Sequence, residues 1–284
     1  MRRLVLFVML ALIAVFSILN FLTNREEKNE IRFAAMGTEA VIIIEGKDAA
    51  AHLMAARRKI EELEQKFSIY RTDSEILQIN KQAGTGWVKV TADTLEVVRL
   101  GQIVSRITDG AFDITRKDFR IIKLDRLNNK VMVEKKEYNI DLGGIGKGYA
   151  VQAAAKTLRE RGVKKALINM RSSIAAIGGP WKIGICDPRD KSKIIEEIEL
   201  YDGDALSTSG NYEQGSHITD PKNGRLVKSN GSVTIIARDG GFADALSTGI
   251  FVLGQEKGTR LLNSLSEIKA ILINSDGKKT KVNF

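Results

Sequence analysis

The chain has 284 residues and a formal net charge of +9, from 44 lysines and arginines against 35 aspartates and glutamates. A hydrophobic fraction of 43% with 28% charged residues is typical of a globular protein and excludes a disordered, collagen-like or coiled-coil chain. The single cysteine, Cys186, excludes an intramolecular disulfide and a thiolate-rich metal cluster.

The positive charges lie among acidic residues, as in RRKIEELEQK at 57–66, without a basic arm or interleaved aromatic residues. This distribution predicts no nucleic-acid binding. The surplus charge would attract a phosphate of a nucleotide or of an anionic lipid, and it is equally typical of a protein that is simply kept soluble by charge.

The N-terminal residues 1–25 are predicted to be a signal anchor outside the folded domain at 26–284. Arg2 and Arg3 precede an apolar run at 4–22, which at ~1.5 Å per residue is just long enough to cross a ~30 Å hydrocarbon core. The two arginines favour a cytoplasmic N-terminus, so the domain is expected on the outer side of a bacterial cell membrane. A cleaved signal peptide is the alternative, although no small-residue cleavage site follows the run.

The domain itself shows alternating strand and helix patterns. Strands are predicted at 33–45, with an early break at 36–38, and at 139–142, 166–169, 181–186, 232–237 and 268–274. Helices are predicted at 48–67, 91–108, 149–161 and 243–253. Asp48 is the expected cap of the first helix, and Gly254 is expected to end the last one. The polar stretch 207–224 is interpreted as a turn region. This irregular alternation predicts an α+β body with a mixed or antiparallel sheet.

Three motifs contain residue types suited to chemistry. The first, DLGGIGKGYA at 141–150, places glycines and Lys147 before a helix, where N–H groups attract anions, although a tight strand-to-helix turn explains it as well. The second, ADALST at 243–248, places Asp244 and Thr248 on one helix face, which suits a hard cation such as Mg²⁺ or a carboxylate that stabilises the helix N-terminus. The third, HITDP at 217–221, contains His217, a potential base or phosphate ligand.

Read together with MGT at 36–38, AFDIT at 111–115 and STSGNYE at 207–213, these motifs resemble the ApbE family of FAD:protein FMN transferases. The resemblance extends from about residue 33 to residue 254. It implies a two-lobed, T-fold-like α+β body that binds FAD and, with Mg²⁺, transfers the FMN moiety to a threonine or serine of an acceptor protein, releasing AMP. The acceptors implied are flavoproteins such as a subunit of a membrane NADH:quinone oxidoreductase complex.

The resemblance also implies roles for individual residues. Asp244, Thr248 and the carbonyl of Gly144 match magnesium ligands, and His217 matches a catalytic or phosphate-positioning histidine. The positions expected beside FAD are Met36, Tyr70, Ala111, Phe112, Asp113, Asp141 and Lys147. A divalent ion with Lys147 would neutralise phosphate charge, and a general base would contribute a further ~10²–10⁴ in rate. His217 is the first candidate for that base and Asp244 the second.

One segment departs from the family pattern. After Asn169 the family has a Gly-Gly turn, whereas this chain has Met170-Arg171-Ser172-Ser173. Replacing both glycines removes tolerance of positive φ, although Arg171 is placed to reach a phosphate. Two alternatives therefore stand beside transfer: an FAD-binding protein that lacks transfer activity, and an FAD pyrophosphatase that releases FMN and AMP.

Overall fold

The computed structural model describes residues 28–211, 218–229 and 231–284. The predicted signal anchor and His217 lie outside the described residues. Among the described helices, none is long and apolar enough to cross a bilayer.

An eight-stranded antiparallel sheet is the main framework of the domain. Its order is β1-β2-β6-β7-β10-β11-β12-β13. The strands are β1 Lys28–Ala35, β2 Thr38–Glu45, β6 Ala166–Met170, β7 Ser173–Ile177, β10 Ala205–Gly210, β11 Ser232–Ala237, β12 Lys269–Ile273 and β13 Lys279–Val282. The predicted α+β class with antiparallel sheets is confirmed.

Five helices are described, and the main hydrophobic core lies between them and one face of this sheet. They are α1 Ala49–Phe67, α2 Glu75–Lys81, α3 Ala92–Ile107, α4 Gly146–Glu160 and α5 Gly240–Asn263. The apolar residues of α1 that recur at helical spacing, Leu53, Ile60 and Leu63, are buried in this core. Burial of one such stripe on each long helix accounts for the layer of helices on the sheet.

The other face of the sheet is covered by a hairpin of β8 Trp181–Asp187 and β9 Asp190–Leu200. A second apolar cluster, containing Trp181, Ile185 and Leu206, lies between the hairpin and the sheet. Both faces of the sheet are therefore packed, and its end near the β1–β2 and β6–β7 turns stays open to form a site.

A small antiparallel sheet of β3 Val88–Lys89, β4 Ile122–Asp125 and β5 Lys130–Val133 lies beside the helices, with a 3-10 helix at Phe119–Ile121. The segment at 139–142, predicted to be a strand, is not one. The side-chain amide of Asn80 accepts from the Ile140 N–H at 2.7 Å and donates to its carbonyl at 2.9 Å. These two bonds hold the segment in place, although it belongs to none of the strands.

Other predicted elements need correction at their ends. The strand predicted at 33–45 is a hairpin, because Met36 and Gly37 both have positive φ and form its turn. Asp48 makes no side-chain capping bond to α1. Helix α5 begins at Gly240, capped by Asp239, and it continues beyond Gly254, whose non-helical φ and ψ of 77° and 172° only interrupt it.

Candidate active site

Most of the predicted site residues line one cavity, of about 250 Å³, at the open end of the sheet. The cavity lies between the loop before α4, the first turns of α5 and the end of β10. The predicted residues in its lining are Ala111, Phe112, Asp113, Asp141, Gly144, Lys147, Asp244 and Thr248. Residues that are far apart in the chain are thus brought to one place, as the motifs predict.

Asp244 is a buried carboxylate in the lining of this cavity, only 4% exposed. Its Oδ1 accepts from the Ser207 hydroxyl at 2.9 Å, and its Oδ2 accepts from the Gly148 N–H at 2.9 Å. Among the described residues it has no cationic partner. A buried carboxylate that is hydrogen-bonded but not neutralised is the environment in which a cation is bound favourably.

Thr248 and Gly144 lie beside Asp244. The Thr248 hydroxyl lies 3.0 Å from the Ser209 hydroxyl, and it donates to the Asp244 carbonyl at 3.3 Å. A Cβ added at Gly144 would lie 3.5 Å from Oγ1 of Thr248. Carboxylate, hydroxyl and backbone carbonyl oxygens are the ligands that Mg²⁺ prefers, so this set of donors fits a magnesium ion that also takes phosphate oxygens. No cluster of three or more His, Cys, Asp or Glu side chains suited to a metal occurs among the described residues.

The loop before α4 is held by Asp141. Its Oδ2 accepts from Nη2 of Arg116 at 2.6 Å, and its Oδ1 accepts from the Gly143 N–H at 2.9 Å. Its own N–H donates to the carbonyl of Ile114 at 2.7 Å. Asp141 therefore shapes the loop from both sides and, through the ion pair, places a guanidinium at the cavity wall.

Asp113 has its side-chain oxygens occupied by a turn. Oδ1 accepts from the N–H and the hydroxyl of Thr115, and Oδ2 accepts from the Phe119 N–H at 2.8 Å. Burial raises the pKa of this carboxyl, and the bonds from Thr115 and Phe119 oppose that rise. The AFDIT motif thus builds the cavity wall by fixing the 113–119 turn.

Lys147 faces two cavities. It lines the first cavity and a larger neighbour of about 700 Å³, which also contains residues of β1, the β1–β2 turn and the β6–β7 turn. Within the described part of the chain its ammonium group makes no ion pair. A cation between two adjoining cavities is suited to an anionic group of a ligand that extends through both.

Met36 and Tyr70 are not brought into the first cavity. Met36 lies in the β1–β2 turn between Ala35 and Gly37, which line the second cavity, and its N–H donates to Oε1 of Glu64 at 2.6 Å. Tyr70 is 86% exposed and lines neither cavity. His217 lies outside the described residues, and the residue after it, Ile218, lines the first cavity.

Sequence reasoning missed the hydroxyl residues that support Asp244 and Thr248. Ser207 and Ser209 belong to β10, a buried strand that was interpreted as part of a turn region. Their hydroxyls bond the Asp244 carboxylate and the hydroxyls of Ser247 and Thr248. The alternation in STSG, where serines 207 and 209 share one face, was the available signal.

Comparison with known proteins agrees with this geometry. The model of the ApbE family matches residues 36–120 and 115–272. The chain belongs to the ApbE family. This match confirms the predicted family.

Curated relatives and solved structures that resemble this chain are also ApbE proteins or FAD:protein FMN transferases. A Klebsiella pneumoniae FAD:protein FMN transferase is 27% identical, over 85% of this chain and 87% of the relative, and a Vibrio cholerae FAD:protein FMN transferase is 29% identical, over 78% and 79%. The crystal structure of an ApbE protein from Thermotoga maritima has a TM-score of 0.82 at 27% identity, covering 90% of this chain and 97% of that one. The Vibrio cholerae flavin transferase ApbE has a TM-score of 0.81 at 25% identity, with the same coverage. The predicted enzyme class, a transferase, is confirmed by the relatives.

Proposed function

We propose that this ApbE-family protein transfers the FMN moiety of FAD to a threonine or serine hydroxyl of an acceptor protein and releases AMP. The observation that carries the proposal is the buried Asp244 carboxylate, hydrogen-bonded by Ser207 and Gly148 yet without a cationic partner among the described residues. The names of the relatives, FAD:protein FMN transferases, support the reaction class.

We propose Mg²⁺ as the ion, with Asp244, Thr248 and the carbonyl of Gly144 to hold it. When bound, Mg²⁺ would neutralise charge on phosphate oxygens and orient the diphosphate. The protein contributes Lys147, whose ammonium group would offset further negative charge, and the walls of Phe112 and Ala111, which exclude water from part of the cavity. Cleavage of a phosphoanhydride depends chiefly on such positioning and charge neutralisation.

The bond changes in the transfer balance. The acceptor hydroxyl oxygen forms a bond to the FMN-side phosphorus, the bond from that phosphorus to the bridging oxygen breaks, and AMP leaves with that oxygen. The hydroxyl proton passes to a general base, for which we propose His217. This residue immediately precedes Ile218, which lines the cavity.

The test measures AMP release and flavin transfer in one reaction of the full-length protein with FAD, Mg²⁺ and a threonine-containing flavoprotein acceptor. We expect AMP and flavinylated acceptor in equal amounts, and neither product from Asp244→Asn. Asp187→Asn, which removes another buried carboxylate that lines neither cavity, is the matched control and should retain activity. AMP without acceptor flavinylation would instead identify an FAD pyrophosphatase, and FAD binding without either product would identify a binding protein.

We also propose that residues 1–25 anchor the protein in the bacterial cell membrane with the domain outside, near acceptors such as a subunit of a membrane NADH:quinone oxidoreductase complex. The apolar run and the two preceding arginines support this orientation. Protease added to intact spheroplasts should digest the domain. Protection from digestion until the cells are lysed would contradict it.

A further inference from the structure

The turn between β6 and β7 contains an arginine in a backbone conformation that favours glycine. Met170 pairs with Ser173, which leaves Arg171 and Ser172 as the two turn residues. Arg171 has a φ of 58°, and its N–H donates to the side chain of Asn169 at 2.8 Å. A positive φ at a non-glycine residue costs about 1–2 kcal/mol, so this arginine is present despite a conformational cost.

The turn is fixed in place by the neighbouring strand. The carbonyl of Ser172 accepts from the Thr208 N–H at 2.8 Å and lies 3.1 Å from the hydroxyl oxygen of Ser207. Ser172 lines both the first and the second cavity, and Arg171 lines the second. The backbone of the turn is therefore fixed beside both cavities, and the Arg171 side chain borders the second.

The charge of Arg171 is available to a ligand. Within residues 28–211, 218–229 and 231–284, its guanidinium makes no hydrogen bond or ion pair. The two carboxylates that line the second cavity have partners of their own: Glu39 lies 3.6 Å from the guanidinium of Arg32, which lines the cavity as well, and Glu64 accepts from the Met36 N–H. An anion in the second cavity would thus meet the charges of both Arg171 and Lys147.

We propose that Arg171 is a further cation, beside Lys147, that binds the diphosphate of FAD and determines selectivity for FAD over riboflavin. The inference rests on the proposed function, since it takes FAD as the ligand. Lys147 and Ser172 line both cavities. A ligand that placed a metal-bound phosphate near Asp244 and extended into the second cavity would therefore have its negative charge beside these two residues. A guanidinium binds phosphate oxygens by charge-assisted, often bidentate, hydrogen bonds.

The experiment measures dissociation constants of the full-length protein for FAD and for riboflavin, which has no phosphate, by flavin fluorescence. The variants are Arg171→Gln, which removes the charge, and Arg171→Gly, which also removes the unfavourable φ. We expect both to raise the Kd for FAD about tenfold and to leave that for riboflavin unchanged. The Kd for FAD should also become less sensitive to salt. Arg171→Gly should unfold at a temperature no lower than the wild type, because glycine accepts a φ of 58°.

The controls lie in the β4–β5 turn, far from the cavities. Arg126→Gln removes an exposed charge, and Asn129→Gly relieves a φ of 51°, and both should bind FAD as the wild type does. An unchanged Kd for FAD in both Arg171 variants would overturn the inference. So would an equal rise of the Kd values for FAD and riboflavin, or a change confined to the KM for the acceptor protein. If the wild type itself does not bind FAD, the proposed function fails, and this inference fails with it.

Discussion

The N–H of Gly148 donates to Oδ2 of Asp244 at 2.9 Å across 96 residues of sequence. This bond joins the first turn of α4 to the first turn of α5. A Cβ added at Gly148 would lie 2.0 Å from the carbonyl oxygen of Gly240, so the helices approach this closely only because position 148 has no side chain. The glycine thus serves a contact between helices, whereas its sequence context predicts close approach to a ligand.

We expect Gly148→Ala to destabilise the fold by about 3 kcal/mol or more, because an added methyl group has to displace backbone. For a chain of this size that lowers the unfolding temperature by roughly 6–12 °C. Gly86→Ala is the control, since a Cβ there meets nothing within 4 Å. Calorimetry that finds both variants equally stable would contradict the close helix contact.

Ser207 positions the Asp244 carboxylate, so Ser207→Ala should weaken metal binding without removing a proposed ligand. Loss of a residue that orients a metal ligand typically lowers metal affinity ~10- to 100-fold. Isothermal titration with Mg²⁺ measures this directly. Ser105→Ala removes an equally buried hydroxyl that donates to the Gly101 carbonyl in α3, and it should leave the affinity unchanged. Equal losses in both variants would indicate a general packing defect.

Tyr149 gives the fold a specific dependence on alkaline pH. Burial, reinforced by the nearby charge of Asp93, whose Oδ1 accepts from the phenol at 3.1 Å, raises the pKa of this tyrosine well above its usual value of 10.0. Above pH 10.0 the phenol keeps its proton in the folded protein but loses it when the chain unfolds. The stability it contributes is therefore complete below pH 10.0 and decreases as the pH rises further.

We expect chemical denaturation between pH 8 and 11 to show a steeper loss of stability in the wild type than in Tyr149→Phe. The difference in slope should approach ~1.4 kcal/mol per pH unit above pH 10. Tyr70→Phe, which changes a tyrosine that is 86% exposed, is the comparison. Parallel curves for the wild type and Tyr149→Phe would contradict the assignment of the raised pKa to Tyr149.

His217→Ala tests the proposed general base. Its kcat should fall roughly 10²- to 10⁴-fold, while the Kd for FAD stays near that of the wild type. The acidic limb of the pH–rate profile, which reflects protonation of an imidazole, should disappear in the variant. His52→Ala, which changes a half-buried residue of α1 whose Nδ1 accepts from Nε of Arg161, is the control. A weaker Kd for FAD with unchanged kcat would assign His217 to binding instead.

Helices and hairpins were predictable where the sequence carries periodic apolar residues or turn residues. The helix predicted at 91–108 is α3, and the strand predicted at 232–237 is β11, because local pattern and burial agree there. Asp244 and Thr248 were recognisable for the same reason, since helical spacing alone places them on one face.

The parts of the fold and of the site that the sequence did not predict depend on contacts between segments that are distant in the chain. Strand β10 was missed because its serines are polar, although they are buried against the equally polar Asp244 and Ser173. The segment around Ile140 is held by the Asn80 amide, 60 residues earlier. No local sequence pattern specifies such partners. The residues that position Asp244 and Thr248 were therefore less predictable than Asp244 and Thr248 themselves.

The most direct test of the account is the mass of an acceptor protein co-expressed with this chain or with its Asp244→Asn variant. We expect the acceptor to gain the mass of FMN less one water, on a single threonine or serine, with the wild type and Asp187→Asn but not with Asp244→Asn. An acceptor that is flavinylated equally with Asp244→Asn would contradict the central role of this carboxylate.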